Sequence, residues 1–166
     1  KLPYFQAMIC ADTTEMREKA LAKILPLQKK DFTGILKAMK GNPVIIRFLD
    51  PPLHEFTPKD KNGVKKVQEV LKEMGYKVDT DTIEAKFNAL HESNPMLGHR
   101  GCRLAITYPE IYKMQTEAVV LAAVECQKAG IKAAANIMIP IVGEPTELAT
   151  IRAECEEVIA RVLKEK

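Results

Sequence analysis

The sequence predicts an α/β fold of about three parallel strands joined by crossover helices. Two short apolar runs, Val44–Leu49 and Ala135–Val142, have the length and near-continuous hydrophobicity of buried strands. Longer segments with apolar residues at helical spacing flank and separate them. Most glycines and prolines outside the helical segments fall at the joints, although Pro140 lies inside the second run.

From Thr13 or Thr14 to Lys40, the residues Met16, Ala20, Leu21, Ile24, Leu27, Phe32, Ile35, Leu36 and Met39 recur at helical spacing. The spacing predicts one long helix or two abutting ones, with Thr14 as N-cap and Pro26 as the break. Gly41-Asn42-Pro43 stops it, and Val44-Ile45-Ile46-Arg47-Phe48-Leu49 follows as a strand expected to be buried on both faces. Asp50-Pro51-Pro52 ends that strand, since proline cannot donate to a ladder.

Helical patterns resume at Asn62–Met74 and Asp81–Leu90, with Gly75-Tyr76-Lys77-Val78 between them. A loop from Ser93 to Gly101 leads into a short strand expected within Gly101–Ile106. Pro109 suits the first turn of a helix running to Ala129, which Gly130 closes. After the strand Ala135–Val142, Glu144–Lys166 is helical, with Pro145 and Glu147 in its first turn, where the helix dipole accepts acidic groups. This order is that of a parallel sheet with crossovers. A closed eight-stranded barrel needs roughly 250 residues, so a chain of 166 is either an open sheet or a slice of a barrel.

Composition bounds the function. A hydrophobic fraction of 46% permits a real core, and a net charge of +3 spread along helices, with no Trp, does not imply a nucleic-acid surface. No apolar run is long enough to cross a membrane. Cys10, Cys102, Cys126 and Cys155 lie far apart, with neither a C-x-x-C pair nor histidines at zinc spacing. They are expected to be reduced, buried thiols in a reducing compartment, with the cytosol as the default. A targeting segment at the ends of a longer parent would lie outside this chain.

Most motif candidates fail on chemistry. His54-Glu55 lacks the second histidine of a zinc-protease helix, and no phosphate-binding glycine motif is present. Asp79-Thr80-Asp81 lacks the later Gly and Glu of a calcium loop and fits a helix N-cap better. Two arginines remain. Arg47 interrupts an apolar strand near its carboxyl end, where parallel α/β folds bind ligands, so it either pairs with Asp50 or another carboxylate or faces a polar cavity. Arg100 sits in the glycine-flanked loop Gly98-His99-Arg100-Gly101, whose backbone freedom and cationic fork suit a phosphate or carboxylate. Arg103 fits the structural member of the second arginine pair.

These residues lie in segments that resemble a known family. Ile46-Arg47-Phe48-Leu49-Asp50-Pro51-Pro52-Leu53-His54-Glu55-Phe56 is similar to a signature of the pyruvate phosphate dikinases, within the wider family of PEP-utilising enzymes. So is Asn94-Pro95-Met96-Leu97-Gly98-His99-Arg100-Gly101-Cys102-Arg103-Leu104, and Ile137-Met138-Ile139-Pro140 resembles the next strand of that family's barrel. The resemblance covers essentially the whole chain. Phosphoenolpyruvate synthase and enzyme I of the sugar phosphotransferase system share the barrel, but the string Leu49–Phe56 and a histidine before Arg100 favour the dikinases.

The resemblance implies that residues 1–166 are part of one PEP- and pyruvate-binding domain, a partial (β/α)8 TIM-type barrel. Arg47 and Arg100 match the family's substrate arginines, holding the transferring phosphoryl group and the substrate oxygens. The partners implied are PEP or pyruvate and a phosphohistidine domain elsewhere in a homodimeric, magnesium-dependent parent. Its metal ligands, its catalytic cysteine and a further substrate arginine lie outside this chain, so Cys102 is not that cysteine. His99 is expected to be a loop hydrogen-bonding residue, and His54 and His91 surface or capping residues. The chain alone is expected to be inactive. An alternative of another class is a non-catalytic module that keeps the anion-binding arginines.

Overall fold

A computed structural model describes residues 1–94 and 97–166, so Pro95 and Met96 of the second signature lie outside the described residues. The elements are helix α1 (Leu2–Ile9), helix α2 (Thr14–Met39), strand β1 (Pro43–Arg47), a 3₁₀ turn (Leu53–Phe56), helices α3 (Lys61–Glu73), α4 (Thr80–Ala89), α5 (Gly101–Thr107) and α6 (Pro109–Lys128), strand β2 (Ala134–Met138) and helix α7 (Pro145–Glu165). The fold is α/β, mostly helical, and its described strands form a two-stranded parallel sheet. The chain divides into two compact units, one of residues 1–24 and 51–100, the other of residues 25–50 and 101–166.

The first unit is helical. Val64, Val67, Val70 and Leu71 recur along one face of α3 and pack with Ala7, Cys10, Met16, Ile83 and Phe87 in a buried cluster. Asp60 caps α3 by accepting the N–H of Gly63 at 2.7 Å, and Asp79 caps α4 by accepting that of Thr82 at 2.8 Å. Asp79 thus has the capping role expected of it. Helix α1 went unread in the sequence. Its packing on α3 and on the 3₁₀ turn, with Gln6 Nε2 donating to Phe56 O at 2.8 Å, supplies the order that eight residues lack by themselves.

The second unit carries the sheet. β1 and β2 pair in register from Pro43 with Ala134 to Arg47 with Met138, and α6 packs on both β2 and α7. Leu36 of α2 and Ala122 and Cys126 of α6 form a buried cluster against which Val44 and Ala135 lie.

Several expectations need correction. Helix α2 is a single long helix, one of the two arrangements that the spacing predicts, but Pro26 does not break it, and its N-terminus is capped by Thr13, whose Oγ1 accepts the Met16 N–H at 3.2 Å, not by Thr14. Residues 101–107 are helix α5, not a strand: Gly101, Cys102, Leu104 and Ala105 are buried while Arg103 and Ile106 are exposed, a helical rhythm that a short apolar run conceals. The sheet among the described residues therefore has two strands, not about three, and β2 ends at Met138, four residues before the expected Val142. Finally, β1 is covered on one face only. Ile46 and Phe48 are buried, but Ile45 is 64% exposed and, with Arg47, Asn136 and Met138, lies on an open face.

Candidate functional site

The carboxyl ends of two adjacent parallel strands form the rim of the second unit. Strand alternation places Arg47 on the open face, two register pairs beyond Ile45 and Asn136, while Phe48 turns into the core. Arg47 Nη1 lies 3.5 Å from Asp50 Oδ2, so the pairing that the sequence allowed is present. It does not bury the guanidinium: the Arg47 side chain is 62% exposed and that of Asp50 14%. The arginine can therefore engage both Asp50 and an anion arriving from the open side.

Past the end of β1 the backbone is held by helix α6. The Phe48 N–H donates to Met138 O at 3.1 Å, continuing the ladder by one residue. Leu49 then takes its partners from side chains: its N–H donates to Gln115 Oε1 at 3.0 Å, and its carbonyl accepts the Tyr112 hydroxyl at 2.8 Å. The Tyr112 ring also meets Phe48 edge-on, at 5.0 Å between centroids. Burial, reinforced by the electrostatic neighbours Cys102, Asp50 and Cys155, pushes the Tyr112 hydroxyl above its ordinary pKa, so it stays a donor.

The end of β2 is tied to α5 and α7. The Cys102 N–H donates to Pro140 O at 3.1 Å and its thiol contacts Ile141 O at 3.3 Å. Burial, and then the Glu147 carboxylate, raise the Cys102 pKa, which disfavours the reactive thiolate. Gly101 has φ +59°, and a Cβ there would stand 2.7 Å from the Ile141 side chain. Ile141 itself has φ +61°, a strained conformation for a β-branched residue. Glu147 accepts the N–H groups of Gly143 at 2.8 Å and Glu144 at 3.0 Å with one oxygen, and Arg103 Nε donates to the other at 3.1 Å. Those backbone bonds, followed by Arg103, lower its pKa. Arg103 is thus the structural arginine that the sequence suggested.

Arg100 is the last residue of the first unit, and Arg47 belongs to the second. Arg100 is half-buried and follows Gly98, whose φ is +103° and where a Cβ would stand 3.4 Å from Pro52 Cβ and 3.7 Å from His54 Nδ1. The two signature segments thus meet inside the first unit. His91 and His99 are exposed in the 91–100 loop, and His54 lies in the 3₁₀ turn, where its carbonyl accepts the Thr57 hydroxyl at 2.8 Å. Sequence reasoning missed Tyr112 and Gln115. Their signal was a polar pair three residues apart on a mostly apolar helix face.

All four cysteines are buried free thiols. Among the described residues no group of three or more His, Cys, Asp or Glu could hold a metal ion, and no helix is long and apolar enough to cross a membrane.

Comparison with known proteins places these features in a family. Residues 5–166 match the model of the PEP-utilising enzyme, PEP-binding domain. The chain is 49% identical over 160 residues to a pyruvate, phosphate dikinase of Clostridium symbiosum, covering 96% of this chain and 18% of that protein. It is 44% identical over 166 residues to one of Rhizobium meliloti, covering 99% and 18%. It is 48% identical over 141 residues to a chloroplastic pyruvate, phosphate dikinase 1 of Oryza sativa subsp. japonica, covering 85% and 15%. The chain thus spans less than a fifth of the length of these relatives.

Proposed function

Because the chain belongs to the PEP-binding domain family of the PEP-utilising enzymes, we propose that it is part of the PEP- and pyruvate-binding domain of a pyruvate, phosphate dikinase. The parent would interconvert ATP, phosphate and pyruvate with AMP, pyrophosphate and PEP, this domain receiving a phosphoryl group from a phosphohistidine carried elsewhere in the protein. The observation that carries the reading is Arg47, exposed at the carboxyl end of a parallel strand and tethered by Asp50.

The open sheet face supports a slice of a (β/α)8 barrel over a doubly wound sheet. In a barrel the helices cover one face of the sheet and the other face lines the interior. Ile45, Arg47, Asn136 and Met138 on the open face are then inward-pointing residues, and Arg47 stands at the mouth. Residues 1–166 would form one part of that domain.

The chemistry follows from charge. Phosphoryl transfer between histidine and the enolate oxygen of pyruvate spreads negative charge over the phosphoryl oxygens in the transition state. A guanidinium fixed before the reaction neutralises this charge without reorganising. Arg47 takes that role, Asp50 keeping its fork from swinging away, and Arg100 assists from the glycine-flanked loop. Magnesium belongs to the parent's reaction, but the described residues do not form a site for it. A reducing compartment, cytosol or chloroplast, suits the four buried thiols.

The test is a pair of half-reactions in the full-length enzyme. Arg47→Ala should abolish exchange of label between PEP and pyruvate while leaving ATP-driven phosphorylation of the histidine near wild type. Normal exchange in that variant would overturn the assignment.

A further inference from the structure

We propose that Tyr112 and Gln115 of helix α6 are positioning residues for the substrate-binding rim, acting on Arg47 and Asp50 through the peptide groups of Leu49. The inference rests on the functional reading of Arg47 given above and adds two residues that touch neither substrate nor the guanidinium.

A strand that ends at a binding rim faces a mechanical problem. Inside a sheet, each peptide plane is fixed by its neighbours' ladder bonds, but beyond the last rung the chain turns freely. Here β1 stops at Arg47 and the ladder continues by one bond, from Phe48 to Met138. Leu49, the next residue, has both its N–H and its carbonyl bonded to α6, at 3.0 Å to Gln115 and 2.8 Å to Tyr112. These two bonds orient the planes on either side of Leu49, and hence the direction in which Asp50 leaves the chain. Asp50 in turn holds Arg47 at 3.5 Å.

The clamp is built to be rigid. Tyr112 is 1% exposed and Gln115 7%, and they stand one helical turn apart on the buried face that continues through Thr116, Val119 and Ala122. The Tyr112 ring packs edge-on against Phe48, so its hydroxyl cannot turn away without disturbing the core. Neither residue is needed to fill space: phenylalanine and methionine would occupy the same volumes. Two polar groups at such positions carry a desolvation penalty that their bonds to Leu49 offset. An arginine displaced by about 1 Å from its productive position can lose up to about a hundredfold in rate, so a lever of two hydrogen bonds suffices to be felt in catalysis.

The experiment uses the full-length enzyme with Tyr112→Phe, Gln115→Met and both together. Each single variant is expected to lower kcat for the pyruvate half-reaction about tenfold, with KM for pyruvate changed by less than about threefold, because the geometry matters most in the transition state. The double variant should lose about as much as the more damaging single, since both act on one residue, Leu49. ATP-driven histidine phosphorylation in the same preparations should stay at wild-type rate, which reports that the remote half-reaction is intact, and an unchanged circular dichroism spectrum reports that this domain is folded. Variants that melt earlier but keep wild-type kcat, or single losses that multiply in the double variant, would overturn the inference alone. A wild-type enzyme that phosphorylates its histidine but does not exchange PEP with pyruvate would overturn the functional reading, and the inference with it.

Discussion

Asp50 holds Arg47 at 3.5 Å from a position that is itself largely covered, with 14% of its side chain exposed against 62% for the arginine. An ion pair this open contributes at most about 1 kcal/mol to stability. Arg47→Ala should therefore unfold in denaturant at nearly the wild-type midpoint, while its PEP–pyruvate exchange falls by roughly 100- to 1000-fold. Arg47→Lys should recover little, because a single ammonium cannot span two oxygens as the fork does. A large loss of stability in Arg47→Ala would show the residue to be structural.

Gly101 is the residue on which the joint between α5 and the end of β2 closes. Its φ of +59° and the 2.7 Å approach of a Cβ to the Ile141 side chain both oppose a side chain. Gly101→Ala should cost about 1–3 kcal/mol, read as a lower denaturation midpoint. Ile141→Gly, which relieves a β-branched residue from φ +61°, should offset part of that loss in the double variant.

Acid should weaken the start of α7. Glu147 has its pKa lowered from the ordinary 4.5 by the N–H groups of Gly143 and Glu144 and then by Arg103. A depressed carboxylate contributes stability that is present above its unfolded pKa and lost as pH falls through the folded one. The difference in Tm between wild type and Glu147→Gln should be constant near neutrality and shrink below about pH 4.5. A difference that persists unchanged to pH 2 would contradict the assignment.

Alkali should act on the first unit through Cys10. Burial pushes this thiol from 9.0 up to about 12, against the opposing pull of Lys86. A raised pKa contributes stability that is complete below pH 9 and lost as pH rises towards 12. Cys10→Ala should flatten the alkaline arm of the stability curve. Wild-type Cys10 should resist alkylation at pH 8 until the protein is unfolded, and rapid labelling of the native protein would contradict this.

The 166-residue chain by itself exposes Ile45 and Met138 on the open face of a two-stranded sheet. Such faces and unpaired edges favour association. Sedimentation should give a mass above 18.6 kDa that falls towards the monomer on Ile45→Lys. Binding of PEP, followed by calorimetry, should be weak, independent of magnesium, and lost as salt is raised. Tight magnesium-dependent binding would show that this chain holds acidic ligands of its own.

Much of this molecule was legible in the residues themselves. The periodicity of α3, α4, α6 and α7, the cap at Asp79, and the placing of Arg47 at a strand end follow from local rules of spacing and capping, which act over a turn or two of chain. The two signature segments pointed to the family without any coordinates. Other features depend on partners far away in sequence. Whether Gly101–Thr107 becomes strand or helix is decided by what it packs on: α5 lies against α6 and α7, and Cys102 bonds to Pro140 and Ile141. The open face of β1 could not be read from Val44–Leu49, because an apolar run records what a residue prefers and not whether a neighbour is there to cover it. Tyr112 and Gln115 lie 63 and 66 residues from Leu49. Only the crossover that returns α6 to the end of β1 turns two ordinary helix residues into the clamp on the arginine rim.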